Sequence, residues 1–518
     1  MPSAVVQITS EADIRGVGIG VRTQGGTPRI RRDLQKTVGL IGVFPWCAAG
    51  RVASPSGGYE FTSGADLIKT IASTGPNDAW NEIAGVEFGE VEVYNVRGTS
   101  PTAGAHTFQT SGSADSLVAT ARRTGPHSAY FKVEVTANVA VSTSRDVIVT
   151  RYGADGTTIT RTGTYLAVQT ANGTVTDPGD PDIVFSKFSG ASAQAAVATA
   201  TALSAGSYGT VAASDYGSGI TAFSNMNGPD IIVCVGVAAA TCDAVNELVQ
   251  TAANSTAGYG HDYVASTELG LTKAEAITAA GLISSKNIRY VWPGIIKGVS
   301  FAFGGYSTGP TQTTVAPGAT MAALLQRTDP WVPAAMRYAQ KAFAAVNSLE
   351  DNGLALNGQP DIADLLEAGI CPIASTANYG FVPWGEVATA TNADTGLPWV
   401  GKSVRYYNYV DTSISNALQA DLQTPLDLNL STGRLGPNTQ GIVDKISIFL
   451  AQEESAGHLV AGISASPAYV VDAFGSATPE NIGAGRWDVD IAYRDTPAAE
   501  FIVLNFRHGT SINIQSAG

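Results

Sequence analysis

Charge is what this chain has least of. Asp, Glu, Lys and Arg make up 14% of its 518 residues, where a soluble globular domain carries about a quarter. Interface cores are depleted in charge, so surfaces this poor in Lys and Glu point to cover by partner subunits. The other reading is a surface mainly of Ser, Thr, Asn and Gly, and composition leaves both open. The net charge of −14 argues against a broad nucleic-acid footprint, which needs clustered Lys and Arg. Cysteine is scarce too: Cys47, Cys234, Cys242 and Cys371 are scattered, and none belongs to a CxxC pair. Neither a zinc site nor a redox motif is indicated. The four read as reduced core residues, or else as partners in a cross-link formed between subunits in an oxidising medium. The five histidines (His106, His127, His261, His458, His508) form no HExxH and no i, i+4 pair, so no catalytic metal is suggested. The longest apolar run, Thr37–Ala49, is broken by Pro45 and falls far short of a membrane span. Met1–Ser10 has neither the basic start nor the apolar core of a signal peptide.

What is abundant is small residues, 57 of them glycine, and hydrophobic residues at 44%, enough to fill several cores. Met1–Arg22 reads as an extended arm. Val5, Val6 and Ile8 lie in one short segment, and Val17, Ile19 and Val21 alternate with glycines. A strand whose one face is bare glycine suits addition to another backbone. The GxGxG spacing lacks the strand-to-helix unit of a dinucleotide site. Lys36–Val43 and Gly89–Val96 read as strands, with a helix over Ala65–Ile71 behind Ser63. From Pro101 to Ser224, Thr, Ser, Gly and Ala dominate. Short alternating runs (Ala129–Val135, Asp146–Tyr152, Thr158–Thr162, Tyr165–Gln169) predict a β-rich module. Strands at Pro229–Val237, His261–Ala265 and Asn287–Trp292 then alternate with helices at Cys242–Ala253 and Thr272–Ile283, which predicts an α/β unit with parallel strands. Helices are expected over Thr320–Arg327, Ala334–Val346, Ile362–Gly369, Asp411–Asp421 and Thr439–Gly457. Strands are expected over Gly369–Ala374, Lys402–Tyr409 and Trp487–Tyr493.

Little of this carries chemistry. Gly305-Tyr306-Ser307-Thr308-Gly309 fits G-x-S-x-G, with His458 and His508 downstream in the order of an α/β-hydrolase. The nucleophile elbow needs a helix right after the serine, whereas Pro310 and Thr311–Thr314 are loop chemistry. Asp177, Asp180 and Asp182 crowd one Pro/Gly loop but match no EF-hand, so a solvated turn is expected in place of a calcium site. Glu453-Glu454 reads as a solvated helix face, and Trp292 and Trp331 as core aromatics. No nucleophile, base and orienter assemble, so an enzyme is not expected.

The C-terminal stretch Gly485–His508 runs through a Pro-bearing connector into Phe501, Ile502, Val503, Leu504 and Phe506. An apolar strand left unpaired there would template pairing with another molecule. Its order Gly–strand–Pro–Ala–Glu–Phe–Ile–Val–Leu resembles the C-terminus of contractile tail sheath proteins of bacteriophages and related injection machines. Val315–Arg337, VAPGATMAALLQRTDPWVPAAMR, is also similar to that family, with its Pro-Gly turn, Ala-rich helix and Arg-Thr-Asp. Val38–Gly50, Glu60–Ile71, Val91–Gly98 and Val404–Leu418 resemble further segments. Leu365–Ala374 resembles the segment that usually carries Gly-Ile-Asn, a triplet this chain lacks.

That resemblance implies a multidomain α/β (α+β) fold with a mixed-sheet core. It implies an N-terminal arm (1–24), a sheath core (25–100 with 225–345), a β-rich outward insertion (101–224), a tube-facing C-terminal domain (346–499) and a C-terminal arm (500–518). It implies a non-enzymatic subunit without cofactor, stacked as hexameric rings around an inner tail tube and contracting to drive the tube through a target cell envelope, as in genome ejection. Neighbours would be tied together by strands from Val5, Val6, Ile8, Val17, Ile19 and Val21, and from Phe501, Ile502, Val503, Leu504 and Phe506. Its partners would be itself, the tube, and the baseplate and tail terminator proteins, with no nucleic acid and no direct membrane insertion. Its place would be the virion tail, assembled in the host bacterial cytoplasm. Arg327, Arg337 and Lys341 form the candidate basic face toward the tube, against the alternative of a solvated helix face. The competing classes are another lattice protein, of surface-layer or capsid type, and a serine hydrolase using Ser307.

Overall fold

The computed structural model describes residues 37–496 except 46, 56–57, 72–76, 226–227, 256–259, 304, 336–342, 344, 351–359, 377–379, 394, 419–420, 422–424, 462–466, 475–477 and 484–486. Its centre is a mixed sheet in which six neighbouring strands run parallel. Their order across the sheet is Glu90–Asn95, Thr37–Gly42, Ile231–Val235, Asp262–Val264, Ile288–Trp292 and Ile370–Thr376. Antiparallel strands cap both edges: Gly50–Arg51 and Glu60–Phe61 on one side, Gly380–Pro383 on the other. A parallel sheet is covered on both faces, so its strands read as continuous apolar runs instead of alternating ones. Successive side chains nevertheless part company. Ile231, Val233 and Val235 enter one core with the helices Asp78–Ile83 and Gly318–Arg327. Ile232 and Cys234 enter a second core with the helices Ala213–Phe223, Ala239–Ala253 and Lys273–Gly281. Gly39 has no space for a Cβ because the Phe223 ring and Pro229 lie directly on it.

Between Asn95 and Ile231 the chain leaves the sheet and builds a β-sandwich. A three-stranded antiparallel sheet (Ile183–Lys187, Asp115–Ala121, Ala105–Gln109) and a four-stranded one (Ala198–Ala202, Phe131–Ala137, Ser144–Tyr152, Ile159–Thr170) share one core of Phe108, Leu117, Phe131, Val133, Val147, Val149 and Phe185. The entering and leaving strands meet in a neck, where the Gly98 and Thr99 N–H groups donate to Tyr208 O (2.9 Å) and Thr210 O (3.1 Å). Arg97 fastens this neck. Its guanidinium donates to Phe44 O (3.0 Å) on the core side and to Thr124 Oγ1 (3.1 Å) on the sandwich side, and lies 4.6 Å from the centre of the Tyr208 ring.

The C-terminal part adds a three-stranded sheet (Thr311–Val315, Ile295–Val299, Val346–Leu349), the helices Gly401–Leu418 and Pro437–Ser455, and a two-stranded ribbon, Tyr469–Asp472 against Asp490–Tyr493. Tyr406, Tyr409, Val410, Ile446, Phe449, Leu450 and Leu459 form its core.

Several local expectations change. The strand expected over Lys402–Tyr409 is the start of the 401–418 helix. Its tyrosines favour strands intrinsically, but Lys402, Arg405, Tyr406 and Tyr409 are all buried on a helical repeat and find partners only there. The two runs at Thr158–Thr162 and Tyr165–Gln169 are one strand, Ile159–Thr170, with an irregularity where Ala167 takes φ +52°. The strand expected over Trp487–Tyr493 is confined to Asp490–Tyr493, and Val346, expected to end a helix, begins a strand.

Candidate functional site

The G-x-S-x-G match does not build an elbow. Ser307 is exposed on a small hairpin, Ala302–Phe303 with Tyr306–Ser307, and the chain continues into the strand Thr311–Val315. No helix N-terminus therefore follows the hydroxyl. His458 is engaged elsewhere: its Nδ1 lies 2.7 Å from Glu453 Oε2 and its ring stacks on Trp331 at 4.2 Å. His508 lies outside the described residues. All four cysteines are buried free thiols, and burial pushes those of Cys47, Cys242 and Cys371 up to about 12, so they are inert.

Two carboxylate groups expected to be solvated are buried. Asp180 accepts the Asp182 and Ile183 N–H groups (both 2.8 Å) on Oδ1, and Arg161 Nη2 and Tyr165 Oη (both 2.6 Å) on Oδ2. Arg161 also pairs with Asp182 at 2.7 Å. The arginine therefore stands where a calcium ion would, and the loop is an ionic staple of the sandwich. Glu453 accepts from Tyr406 and Tyr409 hydroxyls, both at 3.2 Å, as well as facing His458. Among the described residues no group of three or more His, Cys, Asp or Glu could hold a metal.

Several of the chain's few charges lie in buried joints. At one, Glu82 Oε2 accepts the Gly236 N–H (2.8 Å) and Oε1 the Ala319 N–H (3.3 Å) in the first turn of the 318–327 helix. Lys297 Nζ donates to the Glu82 and Ala84 carbonyls (2.6 and 2.8 Å). Burial raises the Glu82 carboxyl to about 7 and lowers the Lys297 ammonium to about 8. At the other, Glu386 receives Arg405 Nε (2.8 Å) and Nη2 (3.0 Å) together with the Ala334 N–H (2.6 Å). Arg289 bridges Asp262 (3.3 Å) to Glu386 (3.7 Å). The two arginines are fully buried, and their remaining N–H groups reach the carbonyls of Lys286, Gly401, Thr328 and Val332. Burial pushes the Glu386 carboxyl up, but the two guanidiniums and the hydrogen bonds outweigh it and hold the carboxyl below its usual range.

A third cluster fixes the last described residues. Lys402 Nζ donates to Asp495 Oδ2 (2.9 Å) and to the Thr496 carbonyl, and Ser403 Oγ donates to Asp495 Oδ2 (2.6 Å). Thr496 returns its N–H to His458 O (2.9 Å) and its hydroxyl to Gly457 O (2.7 Å). Sequence reasoning missed Arg289, Glu386, Lys402 and Arg405. Their one signal was charge inside apolar, aromatic runs of a charge-poor chain.

Of the candidate tube-facing cations, Arg327 pairs with Glu87 at 2.9 Å at the end of a helix whose residues Gly318–Leu325 are all buried. Arg337 and Lys341 lie outside the described residues, as do the candidate arm strands at Val5, Val6, Ile8, Val17, Ile19 and Val21 and at Phe501, Ile502, Val503, Leu504 and Phe506.

Parallel core sheet, projecting sandwich and helical C-terminal part together define a multidomain α/β fold. It is the fold of contractile tail sheath proteins. The sheath tail protein of Desulfitobacterium hafniense superposes at a TM-score of 0.55 over 88% of this chain and 93% of its own, with 12% identity. That of Listeria innocua gives 0.54 over 90% and 96%, with 14% identity. The helical sheath of the anti-feeding prophage in its contracted state gives 0.53 over 95% and 99%, with 13% identity. No protein-family model and no curated protein sequence matches the chain.

Proposed function

We propose that this chain is the non-enzymatic structural subunit of a contractile sheath. It polymerises as stacked hexameric rings around an inner tail tube, joins a baseplate and a terminator at the two ends of the tail, and shortens to drive the tube through a target envelope. The observation that carries the reading is the near full-length fold likeness to sheath subunits, one of them in a contracted sheath. The buried, inert thiols and the exposed, helix-less Ser307 agree with a protein whose work is mechanical.

Met1–Arg22 and Phe501–Arg507 add strands to neighbouring subunits in this reading. The ribbon Tyr469–Asp472/Asp490–Tyr493 is a natural acceptor. Among the described residues it has only two strands, and Val470 is 49% exposed on it. Each main-chain hydrogen bond contributes only about 1 kcal/mol net. Repetition around every subunit keeps the rings connected while they rotate. Contraction is then a passage from a metastable long packing to a more stable short one, driven by subunit contacts.

Negative-stain microscopy of the purified chain tests this. Striated tubes are expected, and flat sheets or closed shells would instead support a surface-layer or capsid-type lattice. Deletion of Met1–Arg22 is expected to leave a folded subunit that forms no tubes. Tubes of normal length from that truncation would refute strand exchange.

A further inference from the structure

The 401–418 helix makes two separate attachments within its first two turns, and they face different parts of the molecule. Toward the core, Gly401 N donates to Glu386 O (2.8 Å) and Gly401 O accepts from Arg289 Nη2 (2.9 Å). A Cβ at Gly401 would press on Arg289 Nε and Glu386 Cγ, both 2.6 Å away, so the close approach requires glycine. One turn on, Arg405 holds Glu386 through two hydrogen bonds, and Arg289 carries the contact on to Asp262. Asp262 and Arg289 belong to adjacent parallel strands of the main sheet. Toward the other side, Lys402 and Ser403 hold Asp495, and Lys402 also holds the Thr496 carbonyl. Lys402 is only 2% exposed. A lysine spending its charge on a buried grip on one aspartate is unusual in a chain so poor in charge.

We propose that the first two turns of this helix form a load path. Lys402 and Ser403 grip the chain at Asp495–Thr496, where residues 497–518 begin, and Gly401 and Arg405 grip the parallel sheet. Pull on residues beyond 496 thus reaches the sheet directly, without first peeling the stretch 456–496 from the subunit. The idea deepens the sheath reading and rests on it for its purpose, since a strand lent to a neighbour transmits motion only if its root is fixed. The joint is built for that load. Its bonds are charge-assisted and partly buried, with the lysine itself almost fully enclosed, which limits the competition from water as the chain is pulled. The grip at residues 402–403 is one helical turn from the grip at 405, and a single turn has little to stretch.

Constant-force pulling on the full chain, tethered by tags at its two termini, tests the joint. In the wild type the first extension is expected to release the 401–418 helix together with everything after it. Asp495→Asn leaves the lysine facing a neutral amide. It is expected to add an earlier step of about 140 Å, the length of the roughly 40 residues from 456 to 496 at about 3.5 Å each. The lifetime before that step should be at least tenfold shorter than that of the first wild-type event. Ser403→Ala, which deletes one hydroxyl, should show the same step at an intermediate lifetime and serves if Asp495→Asn folds poorly. A wild-type trace that itself begins with the short step, or variants indistinguishable from wild type, would overturn the load path. Tube formation by the wild-type chain is scored separately in the microscope. Its failure would remove the sheath reading, while the force traces would still decide the joint.

Discussion

Replacing Glu386 by Gln should be among the most damaging single-atom changes in the molecule. The carboxylate is buried and accepts three hydrogen bonds, from Arg405 Nε and Nη2 and from the Ala334 N–H, with Arg289 Nε 3.7 Å away. The cluster of Arg289, Arg405, Glu386 and Asp262 is neutral as it stands, and a glutamine leaves one uncompensated positive charge at a buried site. Its amide NH2 must also face a donor, because both carboxylate oxygens are already taken by N–H groups. Breaking one partner out of a buried ion pair costs about 3–5 kcal/mol, and that is the expected loss in urea unfolding of the unassembled subunit. The companion double variant Glu386→Leu/Arg405→Met removes both charges and should recover most of the loss. The pH dependence follows from the same geometry. The folded carboxyl is held below its unfolded value of 4.5, so this stabilisation is present above that pH. It is lost as pH falls through the folded value. A Glu386→Gln loss under about 1 kcal/mol, or an unchanged acid limb of the stability profile, would refute the assignment of this cluster as the joint between core and C-terminal part.

Glu82 titrates in the opposite sense. Its folded carboxyl stands at about 7 against an unfolded 4.5, so the folded state keeps a proton that the unfolded chain releases. Stability from this group is full below 4.5 and falls by about 3 kcal/mol as pH rises to about 7. Urea unfolding at pH 5 and 7.5 should show the slope, and Glu82→Gln should flatten it. In the sandwich, Asp180→Asn removes the charge that Arg161 and Tyr165 share, at an expected cost of about 2–3 kcal/mol. Limited proteolysis should then open residues 105–202 while the parallel core stays protected, and added calcium should not restore protection.

The alternating strand and helix runs between Pro229 and Trp292 announced a parallel sheet because each element there carries its own periodicity. The Pro101–Ser224 region likewise announced hairpins through its turn residues. Lys402–Tyr409 reads as strand for the same local reason, since three tyrosines and a valine fit a pleated surface. Only the tertiary structure shows that Lys402, Arg405 and Tyr406 must lie within the first two turns of one helix to meet Asp495, Glu386 and Glu453, which are 19 to 93 residues away in sequence. The Asp177–Asp182 loop taught the same lesson, because its counter-charge is Arg161 across the sandwich and not a bound ion. The sequence by itself determined the fold class, the alternation of elements and the scarcity of charge, because these depend on periodicity and composition, which are local or summed quantities. Where the few charges go was decided by the fold, since burying a charge is tolerable only beside a partner, and partners are distributed by topology and not by spacing along the chain.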